Sequence, residues 1–565
     1  MKLNEKWGWF LGFTAVFAAL VAYVFWGTWS PDFAPVMPDD NIWHHQQWAV
    51  IWNEWLRKFF TTGKVVPSDL LWEGLLLPPD YVQELKYAAA GYFAALGLAY
   101  FLRGRGLSRL AAYGAGLLLA FSGYWFSLFS AGHGGWFVWM TYGIFAFGLI
   151  DRALGKGKVR HWLGLGAVLA WGSFYQPDLW LLFTVFTAVY FVFAAVRERK
   201  FPSWKGMALA AAAFFLIGAP SFRTAIFSDL KGRDEQIASG ETTGSKKGEE
   251  SPAEAAARRW EFVTNWSLPA DETVEFVSPR ANGDTSCPLT LALSRKRGSG
   301  IRPYTGALGR PLNASGGNYR QHSLYVGLVT CLLAVIGVIG AWVRTQGGVR
   351  VRTEIVFFAV AALVFYLFSL GRYCEPVYRL VYALPFGDYL RAPVKWHHLT
   401  EFCLVVLAGY GIDGLRGSRW LSGLRGGLSG LVVAVVVLLG AVDLARINRL
   451  YCAPIDIRAA RQQNASGQIT FLRKQDFAHP QVKELLKKGL VVSLAYHPYA
   501  PDVYLVEVLT PRKPYQPKPL PPVSLPNILG LISLLTGLAV IAFAALVCFC
   551  GGGFGRVGGT SMCND

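Results

Sequence analysis

Charge is scarce in this sequence. Only 16% of its 565 residues are Asp, Glu, Lys or Arg, against 53% hydrophobic and 15% aromatic, where soluble domains carry roughly 25% charged residues. That shortage excludes a string of soluble domains. Cysteine is sparse too. The eight residues show no CxxC spacing, which removes a structural zinc module and a dense disulfide framework. No Walker loop, no GxSxG elbow and no GxGxxG after a strand pattern occurs, so ATP-driven transport and α/β-hydrolase chemistry lack their usual signatures.

Apolar sequence is what the chain has in quantity. Runs of the length a bilayer crossing needs lie at 7–29, 87–102, 110–131, 135–150, 161–177, 179–196, 206–225, 323–343, 354–371, 398–415, 426–446 and 527–550. They predict an all-α polytopic membrane protein of about twelve transmembrane helices. The first run lacks a small-x-small cleavage site and ends in aromatic residues, which reads as a retained anchor.

The net charge of +18 would suggest nucleic acid in a soluble protein. Here Lys and Arg fall between apolar runs, the pattern of topology signals and of contact with membrane lipids, with no nucleic acid partner expected. Lys2/Lys6, Arg103/Arg105/Arg109, Arg152/Lys156/Lys158/Arg160, Arg197/Arg199/Lys200/Lys205, Arg344/Arg350/Arg352 and Arg416/Arg419/Arg425 all share one side if twelve spans are counted. Loops rich in Lys and Arg are cytoplasmic. Both termini of this multi-pass chain are therefore expected in the cytoplasm.

This places a transmembrane core over 1–446, with outer loops 30–86 and 226–322. A small extracytoplasmic α+β domain follows over 447–526, then a last helix over 527–550 and a cytoplasmic tail over 551–565. The α+β reading rests on a helical pattern at His479–Lys488, strand-like runs at Leu490–Ala495 and Val503–Leu509, and a Pro-rich spacer. Residues 231–258 are polar without an apolar period, as in a disordered or lid-like loop. Residues 287–300 look like an insertion. Whether Cys374 and Cys452, both placed outside, pair is left open by the sequence.

Candidate chemistry gathers at the outer face. From Trp48 apolar residues recur at helical spacing through Phe59, which predicts a helix along the membrane surface. Asp39 and Asp40 precede it. Asp40 fits a helix cap, and either fits a general base held at headgroup level. His44 and His45 follow, adjacent in sequence, so they point different ways on a helix and support a zinc site poorly. His133 lies in a glycine turn after the third span, and Tyr175, Gln176 and Asp178 lie at the end of the fifth. Asp388, Arg391, Lys395, His397 and His398 follow the ninth. A lone histidine in a turn is ordinarily solvated, and a cation near a helix end ordinarily snorkels. Four loops delivering such groups to one face are functional candidates. Arg391 and Lys395, four apart, would share a helix face and neutralise a phosphate if a helix begins there. Carboxylates and histidines on this face permit a divalent cation, Mg²⁺ or Mn²⁺, without requiring it.

An acidic pair after span one, followed by an interfacial helix, resembles the GT-C superfamily of polyprenyl-phosphate-sugar-dependent glycosyltransferases. More narrowly, AGHGGW at 131–136, RQHSLYVGLV at 320–329 and YLRAPVKW at 389–396 resemble the YfhO-type bacterial membrane proteins. That family shows a GH turn, a Y-(I/V)-G span start and an R-x-P-x-K segment, here Gly132-His133, Tyr325-Val326-Gly327 and Arg391-Pro393-Lys395. The resemblance runs from about 8 to 450. It implies a multi-span enzyme taking a sugar from a lipid-phosphate carrier at the outer face and giving it to an envelope polymer, a glycolipid or a protein. Asp39 or Asp40 would be its catalytic base, with His133 at the catalytic centre and Arg391 and Lys395 on the donor phosphate. His44, His45, Tyr175, Gln176, Asp178, His397 and His398 would line the substrate. The acidic pair is Asp-Asp where some relatives have Asp-Glu. A lipid-linked glycan polymerase or ligase, a flippase or transporter, and an envelope scaffold remain the alternatives. A transporter would place its functional charges near the midplane, often in repeated halves, and the sequence shows neither.

Overall fold

The computed structural model describes residues 2–35, 48–62, 81–130, 134–174, 177–224, 251–282, 323–343, 348–384, 387–418, 428–452, 454–456, 465–497, 500–511, 519, 522 and 528–539. The chain is mostly helical. In order the helices are α1 Lys2–Val24, α2 Trp48–Thr62, α3 Val82–Gly104, α4 Arg109–Ala120, α5 Gly123–Ser130, α6 Gly134–Lys156, α7 Val159–Gly172, α8 Pro177–Glu198, α9 Trp204–Thr224, α10 Pro252–Val263, α11 Leu328–Val343, α12 Gly348–Ser369, α13 Glu375–Tyr382, α14 His397–Arg416, α15 Leu428–Tyr451, α16 Pro480–Lys487 and α17 Ile528–Ala539.

Eight helical stretches are long and apolar enough to cross a membrane: Trp7–Val24, Gln83–Gly104, Arg109–Phe129, Leu179–Glu198, Trp204–Phe222, Val349–Ser369, Pro393–Arg416 and Leu428–Tyr451. The other four predicted runs are helical as well, as α6, α7, α11 and α17, but do not meet that length and hydropathy among the described residues. The reason is visible in α11. Its first predicted residues, 323–327, are extended, with Gly327 at φ +102°, and the helix starts only at Leu328.

The bundle is closed by small residues. A Cβ at Gly411 would fall on the Leu333 carbonyl oxygen, and one at Gly337 on the Leu407 carbonyl oxygen, so α11 and α14 cross backbone to backbone. Without a hydrophobic driving force between helices in lipid, such close approach supplies the packing. A long aromatic cluster fills the space between α3, α6, α8, α12 and α14, from Phe101 and Phe147 through Phe186 and Phe358 to Phe402. Polar groups concentrate at the two ends of this bundle, at Ser122, Lys395, His397, His398 and Glu401 on one side and Arg105, Asp151, Arg197 and Glu354 on the other.

Beyond the core, β1 (Phe33–Pro35) pairs antiparallel with β2 (Pro454–Asp456), tying the chain after α1 to the chain after α15. Strands β3 (Ala465–Arg473), β4 (Val491–His497) and β5 (Ala500–Pro511) form an antiparallel sheet in the order β3-β5-β4. With α16 they occupy the region predicted to mix helix and strand. Strand β3 had no clear alternation and is an addition. The lid-like reading of 231–258 is corrected at its end: α10 begins at Pro252 on a capping box in which Ser251 and Glu254 bond each other reciprocally, the S-x-x-E signature of a helix start. Residues 287–300 lie outside the described residues. Cys374 and Cys452 are both free thiols.

Candidate functional site

The described site residues follow from one local conformation. Pro393 blocks a helix from running back through residue 392, and Ala392 takes a left-handed φ of +64°. A 3₁₀ turn over Pro393–Trp396 then leads into α14. Arg391 is therefore outside the helix, and the expected sharing of one helix face by Arg391 and Lys395 is corrected. The two cations go separate ways. Arg391 lays its guanidinium over Trp266, 4.2 Å from the ring centroid, and over Phe262 at 4.8 Å. Lys395 is buried, with its charge near His398.

The wall facing Arg391 is equally constrained. Trp266 has φ +57°, an unusual conformation for a bulky residue. Backbone bonds hold it: Ala392 N donates to Val263 O and Val394 N to Trp266 O, both at 3.1 Å. Leu268 N donates to Ser369 O at 2.9 Å. Arg372 fastens the same turn, donating from Nε to Thr264 O at 3.1 Å and from Nη2 to Asn265 Oδ1 at 3.2 Å. Burial lowers the Arg372 pKa from its ordinary value. Gly371, at φ +50°, makes room, since a Cβ there would strike Ser267 Oγ and lie 2.6 Å from Pro393 Cγ. Outside this turn Arg259 and Asp388 pair at 2.8 Å. Two strained non-glycine residues flanking one stacked arginine form the kind of over-determined geometry that clusters at functional sites.

Beneath Arg391 lies a buried polar layer. His397 stacks on Phe276 at 4.3 Å, and His398 on Tyr124 at 4.4 Å. Both histidines are 0% exposed. Among the described residues neither ring nitrogen of His398 has a hydrogen-bond partner, and an unsatisfied buried polar group costs about 1–3 kcal/mol. Glu401, one turn on, accepts a hydrogen bond from Ser122 Oγ. Asn448 Nδ2 donates to Phe121 O at 2.8 Å, closing the layer from α15. Such unsatisfied polarity is tolerated where a site is kept for chemistry.

The Tyr325-Val326-Gly327 segment supports this layer from the side. Gly123 N donates to Tyr325 O at 2.7 Å, the Tyr325 hydroxyl bonds Asp443, and Val326 and Gly327 both donate to Phe276 O at 3.1 and 3.2 Å. The segment thus holds Phe276 against His397.

Arg391, Lys395, His397 and His398 are brought into one region. His397 and His398 lie under it rather than on its surface. Asp178 stands in the first turn of α8, and nothing further is described of its side chain. Asp39, Asp40, His44, His45, His133, Tyr175 and Gln176 lie outside the described residues. The helix expected from Trp48 is present as α2, with Trp52 exposed and Phe59 buried. Among the described residues no group of three His, Cys, Asp or Glu is placed to hold a metal ion.

Two carboxylates escaped the sequence reading. Glu401 lies inside the predicted 398–415 span, and a carboxylate in an apolar run is itself a functional signal. Glu84 is fully buried in the first turn of α3 beside Thr28 and Cys452. Comparison with models of protein families finds none that matches this chain, and comparison with curated proteins finds no match either.

Proposed function

We propose that this chain is an integral-membrane glycosyltransferase of the GT-C type, akin to the YfhO-type proteins. It would move a sugar from a polyprenyl-phosphate carrier to a cell-envelope acceptor at the extracytoplasmic face of a bacterial plasma membrane, with both termini in the cytoplasm and about twelve spans. The observation that carries this reading is the Arg391 guanidinium held on Trp266 at 4.2 Å, just ahead of a membrane-crossing helix. A planar guanidinium fixed in advance loses little freedom on binding a phosphate bidentately.

In the reaction the acceptor hydroxyl attacks the sugar's anomeric carbon, and the bond from that carbon to the phosphate oxygen breaks. The leaving phosphate keeps the electron pair, and Arg391 would neutralise its charge. A base takes the hydroxyl proton, the role the resemblance gives to Asp39 or Asp40. Lys395 would raise the local positive potential from below. No step is routed through a divalent cation.

The buried ion pairs at the far end of the bundle favour an enzyme over a flippase or transporter. Arg105 meets Glu354 at 2.8 Å and also Asp151, and Arg197 meets Glu354 at 2.8 Å. Alternating access that separated these buried charges would carry a considerable cost.

The test is sugar transfer from a radiolabelled polyprenyl-phosphate hexose by the purified chain. Arg391→Ala should raise the donor KM by about tenfold or more, the size of a lost charge-assisted bond. Asp39→Asn or Asp40→Asn should abolish turnover while donor binding persists. Absence of transfer by the wild type across several donor sugars would overturn the reading.

A further inference from the structure

At the end of the bundle opposite Arg391, a groove of about 550 Å³ runs between α1, α4 and α15. Its floor is apolar, built from Phe13, Val16, Tyr113, Leu117 and Val437, with Trp9 and Leu438 exposed at its rim. Two glycines open it on the α1 side. A Cβ added to Gly8 or Gly12 would meet nothing within 4 Å, so that side of α1 faces empty space. From Gly8 to Val16 the groove follows α1 for about 12 Å at 1.5 Å per residue.

One mouth of the groove is charged. Tyr113, stacked on Phe13 at 5.0 Å, lies within electrostatic reach of both Arg103 and Arg109. Arg103 is exposed, and its guanidinium also donates to the Leu107 carbonyl. One carboxylate, Asp413, stands close by and accepts the Ser108 N–H at 3.2 Å. Among the described residues, Arg103 has one cation, Arg109, and one carboxylate, Asp413, for charged neighbours, so the mouth carries positive charge there. An apolar channel ending in guanidinium groups, beside a rim tryptophan of the type found at membrane interfaces, has the polarity of a phospholipid with an anionic head.

We propose that this groove is a binding site for an anionic phospholipid of the leaflet that faces the Arg103–Arg109 loop, one acyl chain lying along Gly8 and Gly12 and the phosphate on Arg103 and Arg109. The site is remote from Arg391 and independent of the transfer reading. A neutral phospholipid offers the same chain but no net charge for the arginines to attract.

Native mass spectrometry of the full chain in detergent, titrated separately with phosphatidylglycerol and phosphatidylcholine, tests it. Phosphatidylglycerol should be retained more strongly, by roughly fivefold for each arginine engaged. Arg103→Gln with Arg109→Gln should abolish that preference. Gly12→Phe, which projects into the empty side, should lower retention of both lipids, whereas Gly12→Ala should leave it unchanged. Arg109→Gln alone should halve the preference on a logarithmic scale and serves if the double variant fails to fold. Equal retention of the two lipids, a preference that survives the arginine variants, or retention unaffected by Gly12→Phe would each overturn the proposal.

Discussion

Arg197 donates to Glu354 at 2.8 Å across 157 residues of sequence, and both side chains are only 4% exposed. The same carboxylate takes Arg105 at 2.8 Å and a hydrogen bond from Tyr410. Asp151 meets Arg105 and lies 3.8 Å from Arg197, while Tyr190 donates to Asp151 at 2.9 Å. Arg105, Arg197, Asp151 and Glu354, from four stretches of chain, thus offset one another, and Glu198 joins them 3.2 Å from Arg197. Removing one member leaves the others charged and buried.

Glu354→Ala should therefore destabilise the protein by about 3–5 kcal/mol, the usual cost of breaking a buried pair. Thermal unfolding in detergent should show a clearly lowered midpoint. Replacing Arg105, Asp151, Arg197 and Glu354 together with apolar residues of similar volume should cost much less. A midpoint unmoved in Glu354→Ala would remove the network from what holds these helices together.

Gly371→Ala should loosen the Trp266 turn. A left-handed alanine costs roughly 1–2 kcal/mol, and the new Cβ displaces Ser267, whose Oγ accepts from Arg372 N at 3.0 Å. We expect faster proteolysis within 264–268 and weaker donor binding in the same variant. Native protease resistance would show that the turn does not need the glycine.

Helix α10 should respond to acid. Hydrogen bonds from the Ser251 hydroxyl at 2.7 Å and N–H at 2.8 Å hold the Glu254 carboxyl below its ordinary value of 4.5. A carboxyl with a depressed folded pKa stabilises the fold above its unfolded value, and that contribution is lost as pH falls through the folded one. Protection factors for amides 253–263 should therefore drop between neutral pH and pH well below 4.5. Glu254→Gln should flatten the change, and an equal drop in that variant would exclude the capping box as its cause.

Orientation can be read with a natural reporter. Cys374 is a free, half-buried thiol in the 3₁₀ turn after α12, on the side assigned to the outside. A membrane-impermeant maleimide should label it in intact cells, with Cys374→Ser as the blank. Labelling that requires permeabilisation would reverse the topology.

The helices long and apolar enough to cross a membrane were legible because that property is a matter of length and composition. The eight long apolar helices and the amphipathic α2 follow from pattern alone. What pattern could not give was the partnering of charges. Arg105 and Arg197 read as topology signals beside Arg103 and Arg199, yet they are buried against Asp151 and Glu354, and only tertiary packing separates the two kinds of arginine. The same applies at the candidate site. Position four apart suggested that Arg391 and Lys395 share a helix, but the left-handed Ala392 before Pro393 breaks that register. Trp266, which sets the guanidinium in place, lies 125 residues earlier in sequence with no local feature to single it out.

The backbone contact of α11 with α14 at Gly337 and Gly411 sets which part of the molecule can yield. Neither helix can rotate or slide against the other without driving a carbonyl into an α-carbon, so the pair acts as a single fixed post. His397, His398 and Glu401 ride on that post.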